Sequence, residues 1–186
     1  MISTADLKKG ATIELDGKLM AIVEYNHIKT GRGSAQVRIK LRDVRTGSTI
    51  EHTVQSGTKF ARAHVERRDM QYLYSDDQFF NFMNTETFEQ VAVTADKIGE
   101  ANLYLKENDV CQLVIYGEEV IGIELPLSVE LTVRTTDPGF KGDTATGGTK
   151  PATMETGLVV NVPLFVEEGT RIKINTDSGS YIERVG

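Results

Sequence analysis

The stretch AQVRIKLR, residues 35–42, alternates without a break: Ala35, Val37, Ile39 and Leu41 fall on one side of an extended chain, Gln36, Arg38, Lys40 and Arg42 on the other. Successive side chains of a strand point to opposite faces, so this period of two specifies a half-buried strand. Similar runs, ATIEL, LMAIVEY and STIEHTV, lie around it, separated by the turn-forming DGK, TGRG and RTGS. Four or five strands in about 60 residues is the size of a small barrel. The strand LMAIVEY offers Met20, Ile22 and Val23 for burial and pairs with residues 35–42 across the glycine-flanked TGRG, which places Arg32 at a hairpin tip. Seven strand residues at ~3.3 Å each carry that tip up to roughly 23 Å from the barrel body.

Strand signals continue. A second block follows ARAHVERRDM, with strands expected at MQYLYSD, QFFNFMN, CQLVIYG and EVIGIEL. Between them TADKIGEANLYLKEN suggests one or two helical turns with Thr94 as N-cap. A third block runs from SVELTVRTTDPG through the loop GFKGDTATGGTKPATMETG to LVVNVPLF, TRIKINTD and SYIERVG, and five strands with one long loop fit an OB-type barrel. The expectation is an all-β chain of three consecutive barrels, with boundaries at 1–64, 65–127 and 128–186 set by charge shifts and Pro126.

The charge is unevenly spread over these blocks. Residues 1–64 hold 11 Lys and Arg against 6 Asp and Glu, residues 65–127 hold 4 against 13, and residues 128–186 hold 6 against 8; the blocks carry +5, -9 and -2, the chain -6. A basic module on an acidic body suits an anionic partner approached in one orientation. Arg32, with Lys29, Arg38, Lys40, Arg42 and Arg45 around it, would be drawn to phosphates, and RNA is the obvious target.

Catalytic chemistry is not legible. His27, His52 and His64 have no nucleophile or metal partners in local pattern, and Asp76/Asp77 and Glu118/Glu119 sit in expected turns, where a solvated face is the default. The segment GDTATGGT approaches the phosphate-binding pattern GxxxxGK[ST] at Gly142, Gly147 and Thr149, but Gly148 occupies the lysine's place and no strand and helix flank it. It reads either as a plain surface loop or as one whose free N–H groups, with Lys141 and Lys150, lie against a sugar-phosphate backbone. The single Cys111 closes no intramolecular disulfide and fits a reducing compartment. No metal and no cofactor are expected. MISTADLKKGATIEL lacks the pattern of a secretory signal, and no apolar run approaches the roughly 20 residues that span a bilayer, so a cytoplasmic protein is expected.

Taken together, KTGRGSAQVRIKLRDVRTGSTIEHTVQSG, YLYSDDQFFNFMNTETFEQ and TDPGFKGDTATGGTKPATMETGLVVNVPLFVEEGTRIKINTDSGSYIERV resemble bacterial translation elongation factor P over essentially the whole chain. The resemblance implies a KOW/SH3-like first barrel and two OB-fold barrels in an L-shape similar to tRNA. It implies a non-enzymatic, monomeric factor on the 70S ribosome, against rRNA and beside peptidyl or initiator tRNA, that promotes peptide-bond formation at consecutive prolines. Positioning of the tRNA acceptor end falls, by the resemblance, to Arg32, held by Lys29, Thr30, Gly31 and Gly33. Gly142, Asp143 and Thr144 would approach the exit-site codon, and Tyr181 and Arg184 would lie near RNA or ribosomal protein.

Many members of that family read P-G-K-G at the tip, with a β-lysyl-type extension on the lysine; Thr30 and Arg32 replace its proline and lysine here. Another branch carries a tip arginine that receives a rhamnose, commonly followed by asparagine, where Gly33 stands. Arg32 is therefore either unmodified or the substrate of a modifying glycosyltransferase. Two rival readings stand beside this one. A general single-strand RNA-binding OB protein, such as an RNA chaperone, would stack bases on Tyr72/Tyr74 and Phe80/Phe82, although these lie in the most acidic block and suit core packing. A small hydrolase or sugar-binding β-protein would need convergent carboxylates in a deep polar pocket.

Overall fold

The alternating segment lies one strand in from the edge of a six-stranded antiparallel sheet. A computed structural model describes residues 1–28, 33, 35–139 and 147–186. The first sheet holds β1 (Ile2–Ser3), β2 (Thr12–Leu15), β3 (Lys18–Ile28), β4 (Gln36–Asp43), β5 (Thr49–Gln55) and β6 (Lys59–Arg62), in the order β1-β6-β2-β3-β4-β5. Val37, Ile39 and Leu41 are sealed from solvent and join Leu7, Ile13, Met20, Ile22 and Phe60 in its core. Burying each such side chain is worth roughly 1.5–3 kcal/mol, and together they fix which face of the sheet turns inward.

The β3–β4 ladder runs from Met20 opposite Asp43 to Ile28 opposite Gln36, interrupted once by a register shift that leaves Val23 unpaired between Ile22 and Glu24. Met20 and Ile22 are buried and Val23 half-buried, whereas Glu24 to His27 are exposed on both faces. Beyond the shift the side chains of β3 are exposed as far as His27, while β4, paired with β5 on its other edge as far as Gln36 opposite Gln55, still buries Val37 and Ile39. The expected hairpin pairing is therefore present up to Ile28 opposite Gln36, with β5 alongside β4 over the same length.

A second sheet holds β7 (Glu66–Ser75), β8 (Phe79–Asn84), β9 (Gln90–Thr94), β10 (Val110–Tyr116) and β11 (Glu119–Glu124), ordered β11-β10-β7-β8-β9. Met70, Tyr72, Phe82, Val93, Cys111, Leu113 and Ile115 are among its buried residues. Helix α1 (Ala95–Ile98) and a 3-10 turn (Gly99–Tyr104) follow β9. Thr94 occupies the N-cap as expected but makes no side-chain capping bond. Its hydroxyl turns instead to the Asp96 carboxylate, whose pKa it lowers.

A third sheet holds β12 (Ser128–Thr136), β13 (Thr149–Met154), β14 (Val159–Pro163), β15 (Arg171–Asn175) and β16 (Tyr181–Arg184), ordered β14-β13-β12-β15-β16. Its core gathers Leu131, Val133, Met154, Val160, Val162, Ile172 and Ile174. The fold is all-β, as expected.

Packing groups the chain into two compact units, one of residues 1–67 with 114–122, the other of 68–113 with 123–186. In the first, Val114 and Ile121 pack with Leu19 and Ala63, and the Tyr116 hydroxyl donates to Glu14 Oε1 at 2.8 Å. In the second, Leu103 and Tyr104 lie against the third sheet's core, and Thr156 Oγ1 donates to the Leu103 carbonyl at 2.5 Å. The division follows side-chain packing rather than chain order.

Three hairpin turns, one in each sheet, are built to one plan. Between β4 and β5, Asp43 N–H donates to Ser48 O (2.8 Å) and Gly47 N–H to Asp43 O (2.8 Å), while Asp43 Oδ1 accepts from Arg45 N–H (2.8 Å) and Thr46 N–H (3.0 Å). Between β15 and β16, Asn175 N–H donates to Ser180 O and Gly179 N–H to Asn175 O (both 2.9 Å), and Asn175 Oδ1 accepts from Asp177 and Ser178 N–H (both 2.9 Å). Between β8 and β9, Asn84 N–H donates to Glu89 O (2.8 Å) and Phe88 N–H to Asn84 O (2.9 Å), and Asn84 Oδ1 accepts from Glu86 (2.8 Å) and Thr87 (3.0 Å). An Asp or Asn side chain folding onto the backbone two and three residues ahead is the mechanism of an Asx turn. The fifth residue is left-handed in all three, at φ 74° for Gly47, 69° for Gly179 and 62° for Phe88.

Three outcomes follow for stability. Ile39→Ala, in a site with no exposed area, should destabilise the first unit by about 2–5 kcal/mol, read by chemical denaturation against wild type. The Thr46 N–H, then the Arg45 N–H, hold the Asp43 pKa below its ordinary value. The stabilisation from this depressed pKa is fully present above about pH 4 and is lost as pH falls through the folded-state value. Asp43→Asn, which keeps the acceptor as Asn84 and Asn175 do, should flatten that acid limb of the thermal stability curve. Asp43→Ala should lower the melting temperature at neutral pH as well.

Candidate nucleic-acid interface

Burial of Val37, Ile39 and Leu41 leaves Arg38, Lys40 and Arg42 on the outer face of β4, all exposed. The flanking strands decide what each cation meets. Arg38 stands between Asn26 of β3 and Thr53 of β5, and Arg42 between Ala21 and Thr49. Lys40 stands between Glu24 and Glu51. Directly opposed side chains lie about 5 Å apart at Cβ, which sets two carboxylates near Lys40, and the Glu24 carboxylate itself accepts from Asn26 Nδ2 at 3.1 Å. The positive field of this face therefore peaks at the two arginines.

Arg45 is engaged differently. Its Nη2 and Nε lie 3.2 and 3.3 Å from Glu119 Oε2, an exposed ion pair within the first unit. Such a pair contributes little to stability, about 0–1 kcal/mol, but it holds the guanidinium on a carboxylate and away from the ribbon. On the ribbon's other face the Tyr25 ring meets His27 edge-on at 6.1 Å. Gly33 is exposed at a bend. Lys29, Thr30, Gly31 and Arg32 lie outside the described residues.

The long loop of the third sheet gives a similar division. Gly142, Asp143 and Thr144 lie outside the described residues, but both stems are described. Lys150, taken from sequence as a candidate phosphate contact, is buried, and its Nζ donates to the Asp137 carbonyl at 2.6 Å. It ties the start of β13 to the end of β12 instead of facing solvent. A cleft of about 1030 Å³ opens beside it, lined by Pro138, Gly147, Pro163, Phe165 and Glu168 among others. On the last strand Tyr181 packs half-buried against the core opposite Ile174, and Arg184 is exposed opposite Ile172.

Tyr72 and Phe82 are buried with ring centroids 5.5 Å apart, and Phe80 lies 6.0 Å from Tyr72. Tyr72 and Phe82 are thus core packing and Phe80 is half-buried beside them, so of the four candidate stacking residues only Tyr74, 52% exposed, faces solvent. Burial, then the carboxylates of Asp109 and Asp69, push the Cys111 thiol up to about 12, so it is no nucleophile at neutral pH. Among the described residues no group of three or more His, Cys, Asp or Glu is placed to hold a metal ion. Nor is any described helix long and apolar enough to cross a membrane. Sequence reading did not find Glu24, Glu51 and Glu119 as partners of the basic face. The first two were discoverable from strand register once the hairpin turns were placed; the third is distant in sequence and was not.

Comparison with known families assigns all three segments. Residues 3–60 match the elongation factor P KOW-like domain, residues 65–123 the elongation factor P OB domain, and residues 129–184 the elongation factor P C-terminal domain. Curated relatives named elongation factor P include one from Pelotomaculum thermopropionicum, 53% identical over 185 residues and covering 100% of both chains. That of Moorella thermoacetica is 55% identical over 184 residues, covering 99% of this chain and 100% of its own. That of Acetivibrio thermocellus is 52% identical over 185 residues, with 100% of both chains covered. On three matching domains in order and on full-length identity above half, this chain belongs to the elongation factor P family.

Proposed function

We propose that this member of a family of non-enzymatic translation factors binds the ribosome beside peptidyl-tRNA and promotes peptide-bond formation where consecutive prolines stall synthesis. The observation that carries the reading is the β3–β4 ribbon, paired as far as Ile28 and Gln36, with Arg38 and Arg42 outward on one face. It supports a tip, at Arg32, that lies along the acceptor end of the tRNA. A guanidinium presents several donors in a rigid fork suited to phosphate and ribose oxygens, and holding a poor reactant in productive geometry is a recognised source of rate. No bond need be made or broken by the factor itself.

In this reading Lys29, Thr30, Gly31 and Gly33 support the tip, Arg38 and Arg42 supply the main phosphate contacts, and Lys40 and Arg45 contribute less because carboxylates accompany them. Gly142, Asp143 and Thr144 approach the exit-site codon, and Tyr181 and Arg184 face RNA or ribosomal protein. The three barrels, divided near residues 64 and 127, act as successive modules of one cytoplasmic monomer. Arg32 works unmodified or after glycosylation by a dedicated transferase, two states that the intact mass of the native protein separates.

In a translation assay on a message encoding Pro-Pro-Pro, Arg32→Ala should give a peptide yield close to that without factor, while a message lacking the motif is unaffected. Equal yields with wild type, variant and no factor would overturn the proposal. Ribosome affinity should fall steeply with salt, and Arg38→Ala with Arg42→Ala should lower the slope of log K against log salt by roughly one per residue. An unchanged slope would remove those two arginines from the RNA contact.

A further inference from the structure

The β8–β9 turn departs from its two sister turns at one residue. Asp43 to Ser48, Asn84 to Glu89 and Asn175 to Ser180 make the same hydrogen bonds, and the left-handed fifth position is glycine in the first and third but Phe88 in the second. Left-handed backbone is rare for a bulky L-residue because its Cβ crowds the neighbouring carbonyl. The other described non-glycine residues with positive φ, Asp16 and Asn108, are of the two types that tolerate it. The Phe88 ring returns nothing to the core, since it is 68% exposed. What singles Phe88 out is the combination of an apolar ring held out to solvent and a backbone that glycine would adopt at lower cost, which a contact outside the chain would account for.

Charge selects the kind of partner. From Asp69 to Asp96 the sequence holds six acidic residues and no Lys or Arg. Glu86 and Glu89 flank the ring and are exposed. Arg67 and Arg68, the nearest preceding basic residues, already have interactions of their own. The carboxylates disfavour a phosphate backbone here, and a stacked base would have only Arg67 and Arg68, beside Asp69 where Thr85 bonds and already engaged, to hold its phosphate. A basic protein surface meets both requirements, an apolar socket for the ring and Lys or Arg for its rim.

We infer that Phe88, presented by the β8–β9 turn together with the exposed Glu86 and Glu89, is an aromatic anchor for a basic protein surface on the ribosome. The inference rests on the ribosomal role proposed above. It places a protein-facing contact on the acidic second sheet, separate from the RNA-facing arginines of β4. The anchor governs how long the complex lasts, and the carboxylates govern how fast it forms.

The test measures association and dissociation of labelled factor on purified 70S ribosomes for wild type, Phe88→Gly and the double variant Glu86→Gln with Glu89→Gln. Phe88→Gly should melt at the same or a higher temperature than wild type and dissociate at least roughly tenfold faster. The double glutamine variant should associate more slowly at low salt. A photoreactive benzoyl-phenylalanine at position 88 should crosslink to ribosomal protein. Unchanged dissociation of Phe88→Gly would overturn the inference, as would a fall in its melting temperature, which would make the ring structural. Tighter binding of the glutamine variant with crosslinks to RNA would show base stacking instead. A concentration-dependent dimer abolished by Phe88→Gly would show a second copy as the occupant. Failure of wild type to bind ribosomes would sink the ribosomal role together with this anchor, whereas binding insensitive to position 88 would sink the anchor alone.

Discussion

Three aliphatic side chains, Val37, Ile39 and Leu41, fix the surface chemistry of the first barrel. Each is fully buried, and because the side-chain period of a strand is two, their burial forces Arg38, Lys40 and Arg42 outward. A slip of one residue would bury three cations without partners, at a penalty of several kcal/mol each, against the few kcal/mol that any aliphatic rearrangement could return. The register therefore has one solution. The basic face is a mechanical consequence of the core, and it is as rigid as the core.

The same register sets the pattern of charge on that face. Lys40 is placed between Glu24 and Glu51 by the ladder itself, and Arg38 and Arg42 between neutral residues. Exposed opposite charges a few ångströms apart cancel over a Debye length of about 10 Å, so an approaching polyanion meets two positive points, not a uniform stripe. Both points are guanidinium groups, which pair with phosphate through two parallel hydrogen bonds where an ammonium offers a point charge. A uniform lysine stripe would bind any nucleic acid; spaced arginines favour a backbone of matching curvature.

Most of the strands were legible because burial on one face writes itself into sequence as alternation or as a short apolar run: β4, β8, β10 and β15 lie within a residue or two of where the pattern puts them. The elements that were missed bury little or carry misleading residues. β6 is four residues with one buried side chain, and β9 buries only Val93. β13 contains Pro151, which argues against a strand; it is tolerated because the ladder to β12 begins only at Ala152, so the missing N–H forfeits no bond there. At the candidate site the outward arginines were readable from the alternation alone. The ion pair of Arg45 with Glu119 and the inward turn of Lys150 to the Asp137 carbonyl were not, because each depends on a chain segment brought close by the fold rather than by sequence.

The repeated turn shows how a local device can absorb an unfavourable residue. A left-handed non-glycine residue costs about 1–3 kcal/mol. Against that, Asn84 supplies one side-chain acceptor for two N–H groups and closes the ladder through its own N–H and carbonyl, four hydrogen bonds worth roughly 0.5–1.5 kcal/mol each. The turn survives the strain with margin. Glycine at the same position makes the same bonds in the sister turns, so none of them depends on the phenyl ring, and Gly47 shows that the turn also forms where no side chain packs beside its fifth residue. Nothing in the geometry of the turn itself calls for phenylalanine. The ring, 68% exposed, is presented to whatever lies outside the chain.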